Sequence, residues 1–301
     1  MNASKTPPVP QIASKRKSQQ SKQRQFRADE ANLTGMTRML MGTLWRPVGC
    51  PHSSVLDQRR SAQDAVSSNH PIAFFVDVDN TLLDNDAIQQ DLKDHLERAF
   101  GLAARERYWR ILEELFAELG YRDYLGALQR YRGEHPREVE LLSMSSFLID
   151  YPFADRLFPA AVEVLKLLRS FGPAVILSDG DVVFQPRKIE HAGLSDAVDG
   201  HVLIYVHKEE ALDDVARRYP ADHYVIVDDK LRILTAVKQF WGTRVTTVFV
   251  RQGTYAHDQK VVGAFPSADV TIERIGDLLD RDLPRLWSMV PVRASTLESA
   301  Q

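Results

Sequence analysis

The stretch AFFVDVDNTLLDND, residues 73–86, sets two aspartates two residues apart at the end of an apolar run. The run Ile72–Val78 is short and rich in β-branched and aromatic residues, which is typical of a strand buried on both faces. Asp77 and Asp79 therefore stand at the end of a buried strand, where an uncompensated charge is costly. Because side chains alternate along an extended strand, we expect the two carboxylates to share one face.

Further apolar runs follow this strand along the chain, and helical patterns separate them. Strands that alternate with helices predict right-handed crossovers and a parallel sheet, so the predicted fold class is α/β. The predicted strands are Ala174–Leu177, Val202–Val206, Tyr224–Val227, Val245–Val250 and the weaker Ala268–Ile272. The predicted helices between them are Phe158–Ser170, Pro186–Ala192, Lys208–Arg218 and Leu231–Phe240.

The interval from Asp86 to about Ala154 shows helical periodicity and no strand signal. Within RERYWRILEELFAELG, the spacing predicts one apolar stripe, ended by Gly120, that contains Trp109, Leu112, Leu115, Phe116 and Leu119. We therefore predict a helical domain inserted after the first strand. The predicted parts are a leader (1–70), an α/β core (71–85 and 155–283), the helical insertion (86–154) and a tail (284–301). The leader and the tail are predicted to be disordered from their polar composition.

Composition narrows the possible functions. The chain has one cysteine, Cys50, which excludes an internal disulfide and fits a reducing compartment such as the cytoplasm. No apolar run approaches the roughly 18 residues that span a bilayer, so we expect no membrane partner. Residues 1–70 carry 11 basic and 4 acidic side chains, whereas residues 71–301 carry 27 and 37. The net charge of +7 in the leader and -10 in the rest predicts a core that does not bind nucleic acid.

Polar residues gather where three of the predicted strands end, in DVDNT, LSDGD and VDDK. Each alone is only a turn signal. In a parallel sheet, however, the carboxyl ends of the strands meet in one crevice, where ligands bind. The carboxylates of these three motifs would repel each other in one crevice unless a cation were present. Mg²⁺ suits a few carboxylates together with a phosphate.

DVDNT, VILSDGD, a lysine at a helix start and VIVDDK resemble, in order, the four motifs of the haloacid dehalogenase superfamily of phosphotransferases, over residues 71–283. The inserted helical segment resembles the C1-type cap of that superfamily. The resemblance implies a Rossmann-like three-layer parallel sheet with an inserted α-helical cap. It also implies Mg²⁺ as the cofactor.

The resemblance implies a role for each motif residue. Asp77 is the nucleophile that attacks phosphorus to give an aspartyl-phosphate. Asp79 protonates the leaving alkoxide, then takes a proton from water, and lends its backbone carbonyl to the metal. The implied metal ligands are Asp77, Asp79, Asp228 and Asp229, and the exact role of Asp229 stays open. The implied phosphate-binding residues are Thr81, Ser178, Asp179, Gly180 and Lys208.

Two positions need separate comment. Asn80 stands where the family often has glycine, and asparagine tolerates left-handed backbone better than most residues. The lysine of the third motif has two candidates, Lys208 and Lys188. We favour Lys208 because it opens a helix after Val202–His207, whereas position 188 falls near a turn into its own helix.

The expected function is a Mg²⁺-dependent phosphatase that acts on a small phosphorylated metabolite. Dehalogenases of the superfamily lack a carboxylate at the position of Asp79, which argues against carbon–halogen cleavage. A sugar phosphomutase and a non-catalytic phospho-ligand-binding protein remain as alternatives, and the oligomeric state is not predicted. We expect substrate contacts from cap side chains among Asp86, Tyr121, Tyr124 and Arg130.

Overall fold

The structure of the protein is a computed structural model, and it describes residues 70–138 and 141–288. In this part of the chain, six parallel strands form one sheet in the order β3-β2-β1-β4-β5-β6. The strands are β1 (His70–Val76), β2 (Ala174–Asp179), β3 (Val202–Tyr205), β4 (Ala221–Asp228), β5 (Val245–Val250) and β6 (Val270–Ile272). This order runs outward from β1 in both directions, as in a Rossmann-like sheet, and confirms the predicted α/β class.

Both faces of the sheet are buried, as the apolar runs predict. The neighbours Phe74 and Phe75 are fully buried but belong to separate apolar clusters, because alternate side chains point to opposite faces. Phe74 packs in the cluster that also contains the apolar residues of the helical insertion, whereas Phe75 packs near Trp241. A large-to-small change at either phenylalanine typically costs about 3–5 kcal/mol.

Five α-helices lie between β1 and β2, and the first four of them form the cap. The cap helices are α1 (Asn85–Phe100), α2 (Leu102–Leu119), α3 (Tyr124–Glu134) and α4 (Leu141–Ile149). The predicted stripe on α2 is correct for Leu112 and Leu115 but wrong for Phe116 and Leu119, which are 39% and 38% exposed. The buried face of α2 is rotated about the helix axis relative to the predicted stripe. It contains Ala104, Tyr108, Ile111, Leu112 and Leu115.

The two connections between core and cap run side by side. Leu83 and Leu157 form an antiparallel bridge. The Asp84 amide donates to the Arg156 carbonyl at 2.8 Å, and the Phe158 amide donates to the Leu82 carbonyl at 2.9 Å. The cap is thus joined to the core by a short two-stranded ribbon.

The remaining α-helices of the described residues belong to the core. They are α5 (Ala161–Arg169), α6 (Phe184–His191), α7 (Leu194–Ala197), α8 (Leu212–Arg218), α9 (Leu231–Trp241), α10 (Gly253–His257), α11 (Gln259–Val262) and α12 (Leu283–Ser288). Lys208 begins a short 3₁₀ turn ahead of α8 rather than the α-helix itself. In the described ranges no helix combines the length and the apolar character that crossing a bilayer requires.

The ends of the chain bear on two predictions. The predicted leader lies outside the described residues except for His70, which begins β1. The tail was predicted to be disordered from residue 284, but its first residues belong to α12, so that part of the prediction is wrong. Residues 289–301 lie outside the described residues.

Candidate active site

Strand register brings Asp77 of the first motif next to Asp228 of the fourth motif. Val76 of β1 lies opposite Val227 of β4, so the next residues, Asp77 and Asp228, come out side by side at the carboxyl end of the sheet. The Asp77 amide donates to the Val227 carbonyl at 3.0 Å. Both aspartates are buried, at 2% and 0% exposure. The parallel pairing that the apolar runs predict is what creates this carboxylate pair.

Lys208 lies between these two carboxylates. Its Nζ donates to Asp77 Oδ1 and lies 2.7 Å from Asp228 Oδ2. Burial alone would lower the pKa of the ammonium, but Asp228 and Asp77 outweigh it and raise the pKa above its usual range. The Lys208 amide also donates to Asp179 Oδ1 at 2.7 Å, which ties the end of β2 to this lysine. Lys208, the favoured candidate of the two, is therefore the lysine beside Asp77.

Asp229 provides the test of whether a cation fits here. It is 1% exposed, and both of its carboxylate oxygens lack a hydrogen-bond partner among residues 70–138 and 141–288. Burial raises the pKa of this carboxyl well above its usual range. One oxygen from each of Asp77, Asp228 and Asp229 lies within 4.8 Å of the others. The charged neighbour of Asp229 is Lys230, whose Nζ lies 3.8 Å from Asp229 Oδ1, too far for a hydrogen bond. Buried carboxylate oxygens in a cluster of this size suit a hard divalent cation such as Mg²⁺.

Asp79 lies apart from the three-aspartate cluster, beside Lys188. Lys188 Nζ lies 2.7 Å from Asp79 Oδ1 and 3.2 Å from Asn85 Oδ1. The interpretation that position 188 falls near a turn is wrong: Lys188 sits inside α6 and is 1% exposed. The carboxylate of Asp79 is not part of the three-aspartate cluster, which leaves its backbone carbonyl as the predicted metal contact.

The loop after Asp79 is held by Asn80 and Thr81. Asn80 has φ of +61°, the left-handed backbone that its residue type was expected to tolerate. Its Oδ1 accepts from the Asn85 amide at 3.0 Å, which fixes the start of α1 over the loop. Thr81 is fully buried, and its hydroxyl lies 3.4 Å from Asp77 Oδ2.

The second motif ends β2 with Ser178, Asp179 and Gly180. Ser178 is 1% exposed, and its hydroxyl oxygen accepts from Gln185 Nε2 at 2.9 Å. A Cβ on Gly180 would lie 2.7 Å from the Gln185 side chain, so glycine here makes room for that glutamine. Burial raises the pKa of Asp179, although Lys208 opposes the shift.

A crevice of about 250 Å³ lies between these strand ends and the cap. Tyr121 and Tyr124 line it, as expected. Asp86 and Arg130 do not: Asp86 accepts from the Thr254 amide at 2.6 Å, and Arg130 pairs with Glu118 on the surface. Other residues that line the crevice are Asn85, Gln89, Phe116, Arg122, Asp181, Gln185, His207, Lys230, Arg232 and Tyr255.

The cap side of the crevice is aromatic and partly charged. The Arg122 guanidinium lies over the Phe116 ring, 5.2 Å from its centroid, and donates to Glu113 at 2.5 Å. Burial and the Asp79 carboxylate raise the pKa of the Tyr124 phenol, so this ring stays protonated at neutral pH. These cap residues belong to no motif, and the sequence indicates Tyr121 and Tyr124 only as polar side chains of the cap.

Comparison with known proteins gives the family. Residues 73–240 match the family model of haloacid dehalogenase-like hydrolases. A solved haloacid dehalogenase-like hydrolase from Burkholderia xenovorans LB400 is 61% identical over 73% of this chain and 99% of that chain, with a TM-score of 0.69. The chain therefore belongs to the haloacid dehalogenase-like hydrolases, as the four motifs suggested.

Two more distant structures share less of the sequence. A haloacid dehalogenase-like hydrolase from Xanthomonas campestris is 14% identical over 74% of this chain and 94% of that chain, with a TM-score of 0.51, and has the same fold. The L-2-haloacid dehalogenase from Xanthobacter autotrophicus is 22% identical over 70% of this chain and 98% of that chain, with a TM-score of 0.45. Comparison with curated proteins gives no match.

Proposed function

We propose that this hydrolase is a Mg²⁺-dependent phosphatase that cleaves a small phosphorylated metabolite through an aspartyl-phosphate on Asp77. The observation that carries the proposal is the buried cluster of Asp77, Asp228 and Asp229, with a second acid, Asp79, at the crevice mouth. When bound to Asp77, Asp228, Asp229 and the Asp79 carbonyl, Mg²⁺ would offset the charge of the phosphoryl group and of the carboxylates.

In the first step, a carboxylate oxygen of Asp77 attacks phosphorus and the bond from phosphorus to the substrate's alkoxide oxygen breaks. Asp79 gives its proton to that oxygen as it leaves. In the second step, Asp79 takes a proton from a water molecule whose oxygen attacks phosphorus. The bond from phosphorus to Asp77 then breaks and inorganic phosphate is released.

The surrounding residues act on the phosphoryl group. Lys208, already beside Asp77, offsets the negative charge that the phosphoryl oxygens bring. The Thr81 hydroxyl is buried next to the Asp77 carboxylate, and the Ser178 hydroxyl is buried at the end of β2 beside Gln185. Both hydroxyls can donate to phosphoryl oxygens. Asp79 favours cleavage of a phosphate ester over cleavage of a carbon–halogen bond. The alkoxide that leaves a phosphate ester needs a proton, whereas a leaving halide does not.

The likeness to a haloacid dehalogenase makes halide release the competing outcome. The test measures phosphate release from a panel of phosphorylated metabolites, and chloride release from 2-chloropropionate, with Mg²⁺ and with EDTA. We expect phosphate release that EDTA stops and that added Mg²⁺ restores. Asp77→Asn should lower kcat at least about a thousandfold while leaving the fold intact.

Asp196→Asn is the matched control, because Asp196 is an exposed aspartate of α7. It should release phosphate at the wild-type rate. Normal phosphate release by Asp77→Asn would exclude Asp77 as the nucleophile, and chloride release without phosphate release would make the protein a dehalogenase. Isomerisation of a sugar phosphate without net phosphate release would indicate a phosphomutase.

The substrate proposed is a small metabolite because the crevice holds only about 250 Å³. The proposed location is the cytoplasm, on the basis of the single cysteine in the chain. No nucleic acid is proposed as a partner of the core, because residues 71–301 are acidic.

A further inference from the structure

Lys188 is a buried cation that the proposed chemistry leaves without a role. It lies on α6 with 1% exposure, and its Nζ is within hydrogen-bond distance of Asp79 Oδ1 and Asn85 Oδ1, at 2.7 and 3.2 Å. A lysine is almost never buried this fully unless its charge is paired, because the lost hydration is large. The contacts with Asp79 and Asn85 therefore compensate for the lost hydration of the Lys188 ammonium.

Asp79 needs an external support because the sheet does not hold it. β1 ends at Val76, and Asp79 lies beyond it in a loop whose next residue, Asn80, is left-handed. The Asp79 side chain is 25% exposed, toward the crevice. A bridge to Leu83 holds the backbone of Asp79, but its short side chain faces the crevice and has several rotamers available to it. Only some of these aim the carboxylate at a leaving group.

One face of α6 supplies the support. Lys188 holds Oδ1 of Asp79, and Gln185 Nε2 lies 3.4 Å from Oδ2. These two residues are three apart on a helix, so they project from the same side. Gln185 also donates to Ser178 at 2.9 Å, which links the orientation of Asp79 to the end of β2.

We propose that Lys188 is a positioning residue that fixes the Asp79 carboxylate toward the leaving oxygen of the substrate. This inference rests on the proposed phosphatase function. The two buried lysines then have separate tasks, since Lys208 serves the nucleophile and Lys188 serves the proton-transferring acid. The contact with Asn85, the first residue of α1, joins this support to the start of the cap.

The test compares two substrates that differ in their need for a proton. 4-Nitrophenyl phosphate has a leaving group that departs without protonation, whereas glycerol phosphate has an alkoxide that requires it. We expect Lys188→Met to lower kcat/KM for glycerol phosphate by about 10- to 100-fold, the cost of a misplaced catalytic group. For 4-nitrophenyl phosphate the loss should be less than about threefold. The measured quantity is kcat/KM because it reports the first step alone.

A double variant asks whether Lys188 acts through Asp79. Asp79→Asn should lower kcat/KM for glycerol phosphate by about 10²- to 10⁴-fold, as expected for loss of a general acid. Adding Lys188→Met to Asp79→Asn should change little further. A residue with a merely structural role would instead give losses that multiply.

Arg187→Met is the matched control, because Arg187 is the preceding cation on α6 but is exposed and pairs only at 3.7 Å with Glu190. It should keep both substrates within about twofold of wild type. If Lys188→Met fails to fold, Lys188→Gln, which keeps a donor of shorter reach, should show the same substrate dependence in a weaker form.

A crystal structure of Lys188→Met gives a reading that does not depend on activity. We expect α6 and the strand ends to stay in place while the Asp79 carboxylate turns away from the crevice. An unmoved carboxylate, equal losses on both substrates, or multiplying losses in the double variant would each overturn the role of Lys188. Absence of phosphate release by the wild-type protein would instead overturn the proposed function, and the crystal structure would still decide the role of Lys188.

Discussion

The core wall and the cap wall of the crevice differ in the type and the burial of their side chains. The core wall consists of the strand ends that line the crevice, such as Asp79 and Asp179, and of the buried residues behind them. Among the buried residues, Asp77, Asp228 and Lys208 are no more than 2% exposed, and Lys208 forms an ion pair with each of the two aspartates. On the cap wall, Phe116 is 39% exposed, and Arg122 lies over its ring.

Strand register places Asp77 beside Asp228, and the hydrogen bond from its amide to Asp179 holds Lys208. On the cap wall, the rotation of α2 about its axis places Phe116, and the turn after α2 places Arg122. Under the proposed function, the core wall would carry the chemistry and the cap wall would contact the rest of the substrate.

The largest effect is expected on the core wall, from Lys208→Met. Removing this cation leaves Asp77 and Asp228 as buried, unpaired carboxylates, so the free energy of unfolding should fall by about 3–5 kcal/mol. Urea unfolding in EDTA measures the loss. Saturating Mg²⁺ should restore part of it, because a cation bound at the three aspartates again offsets their charge.

Lys238→Met is the control for this change. Lys238 pairs with Asp269 at 2.8 Å, but both side chains are more than a third exposed, so its loss should cost less than about 1 kcal/mol. If Lys208→Met unfolds at the same urea concentration as Lys238→Met, the buried ion pair is not what stabilises the core wall.

A smaller effect is expected from glycine substitutions at the ends of α2, one of which lies where the cap contacts His207 of the core. Gly101 and Gly120 flank α2, and both have left-handed backbone, with φ of +84° and +83°. A Cβ on Gly120 would lie 2.5 Å from the His207 ring, whereas a Cβ on Gly101 would meet nothing within 4 Å. Gly101→Ala and Gly120→Ala should each lower the free energy of unfolding by about 1–3 kcal/mol through backbone strain. Only Gly120→Ala should also raise KM for the preferred substrate, by about tenfold, because it alone pushes the cap away from His207.

Urea unfolding and steady-state kinetics of both glycine variants provide the measurement. An equal rise of KM in Gly101→Ala would show that strain in α2, rather than the contact with His207, governs the cap wall. An unchanged KM in both would show that substrate binding does not depend on how the cap meets the core here.

The smallest effect concerns pH and lies away from both walls. His223 on β4 is half-buried, with Nε2 2.9 Å from the Thr246 hydroxyl. Burial, together with Lys238 and Arg244, lowers its pKa below the ordinary 6.5, while Asp269 opposes the shift. The unfolded chain therefore binds the proton more tightly than the folded protein, and stability falls as the pH drops below 6.5. Solvent screening limits the effect to a few tenths of a kcal/mol.

Urea unfolding at about pH 7.5 and about pH 5.5, for wild type and His223→Gln, measures this difference. The wild type should lose slightly more stability than His223→Gln on acidification. The opposite order would mean that Asp269 outweighs burial and stabilises the charged imidazole.

The core wall could be predicted from the sequence because it follows from strand ends. Apolar runs locate β1 and β4, and parallel pairing then requires Asp77 and Asp228 to be neighbours. The choice of Lys208 over Lys188 as the lysine beside Asp77 is correct, but the reason for it is not, because Lys208 begins a 3₁₀ turn rather than an α-helix and Lys188 lies inside α6. The roles of these residues in turnover stay predictions until the variants are measured.

The support of Asp79 and the cap wall could not be predicted in the same way. In FQPRKIEH nothing distinguishes a lysine that points inward from one on a solvated face, because that depends on how α6 is rotated against the sheet. Likewise, the apolar spacing on α2 allows two overlapping stripes, and packing against the other cap helices selects the one with Tyr108 and Ile111. Phe116 is then left to face the crevice.

The paired connections at Leu82–Asp84 and Arg156–Phe158 have a consequence for how such an enzyme changes over evolution. The chain leaves the core and returns to it at adjacent positions, so the strand order does not depend on what lies between them. A segment of different length or sequence can be inserted between these two connections without moving the strand ends. Selection can therefore exchange the cap to alter the choice of substrate while the reaction chemistry is inherited unchanged.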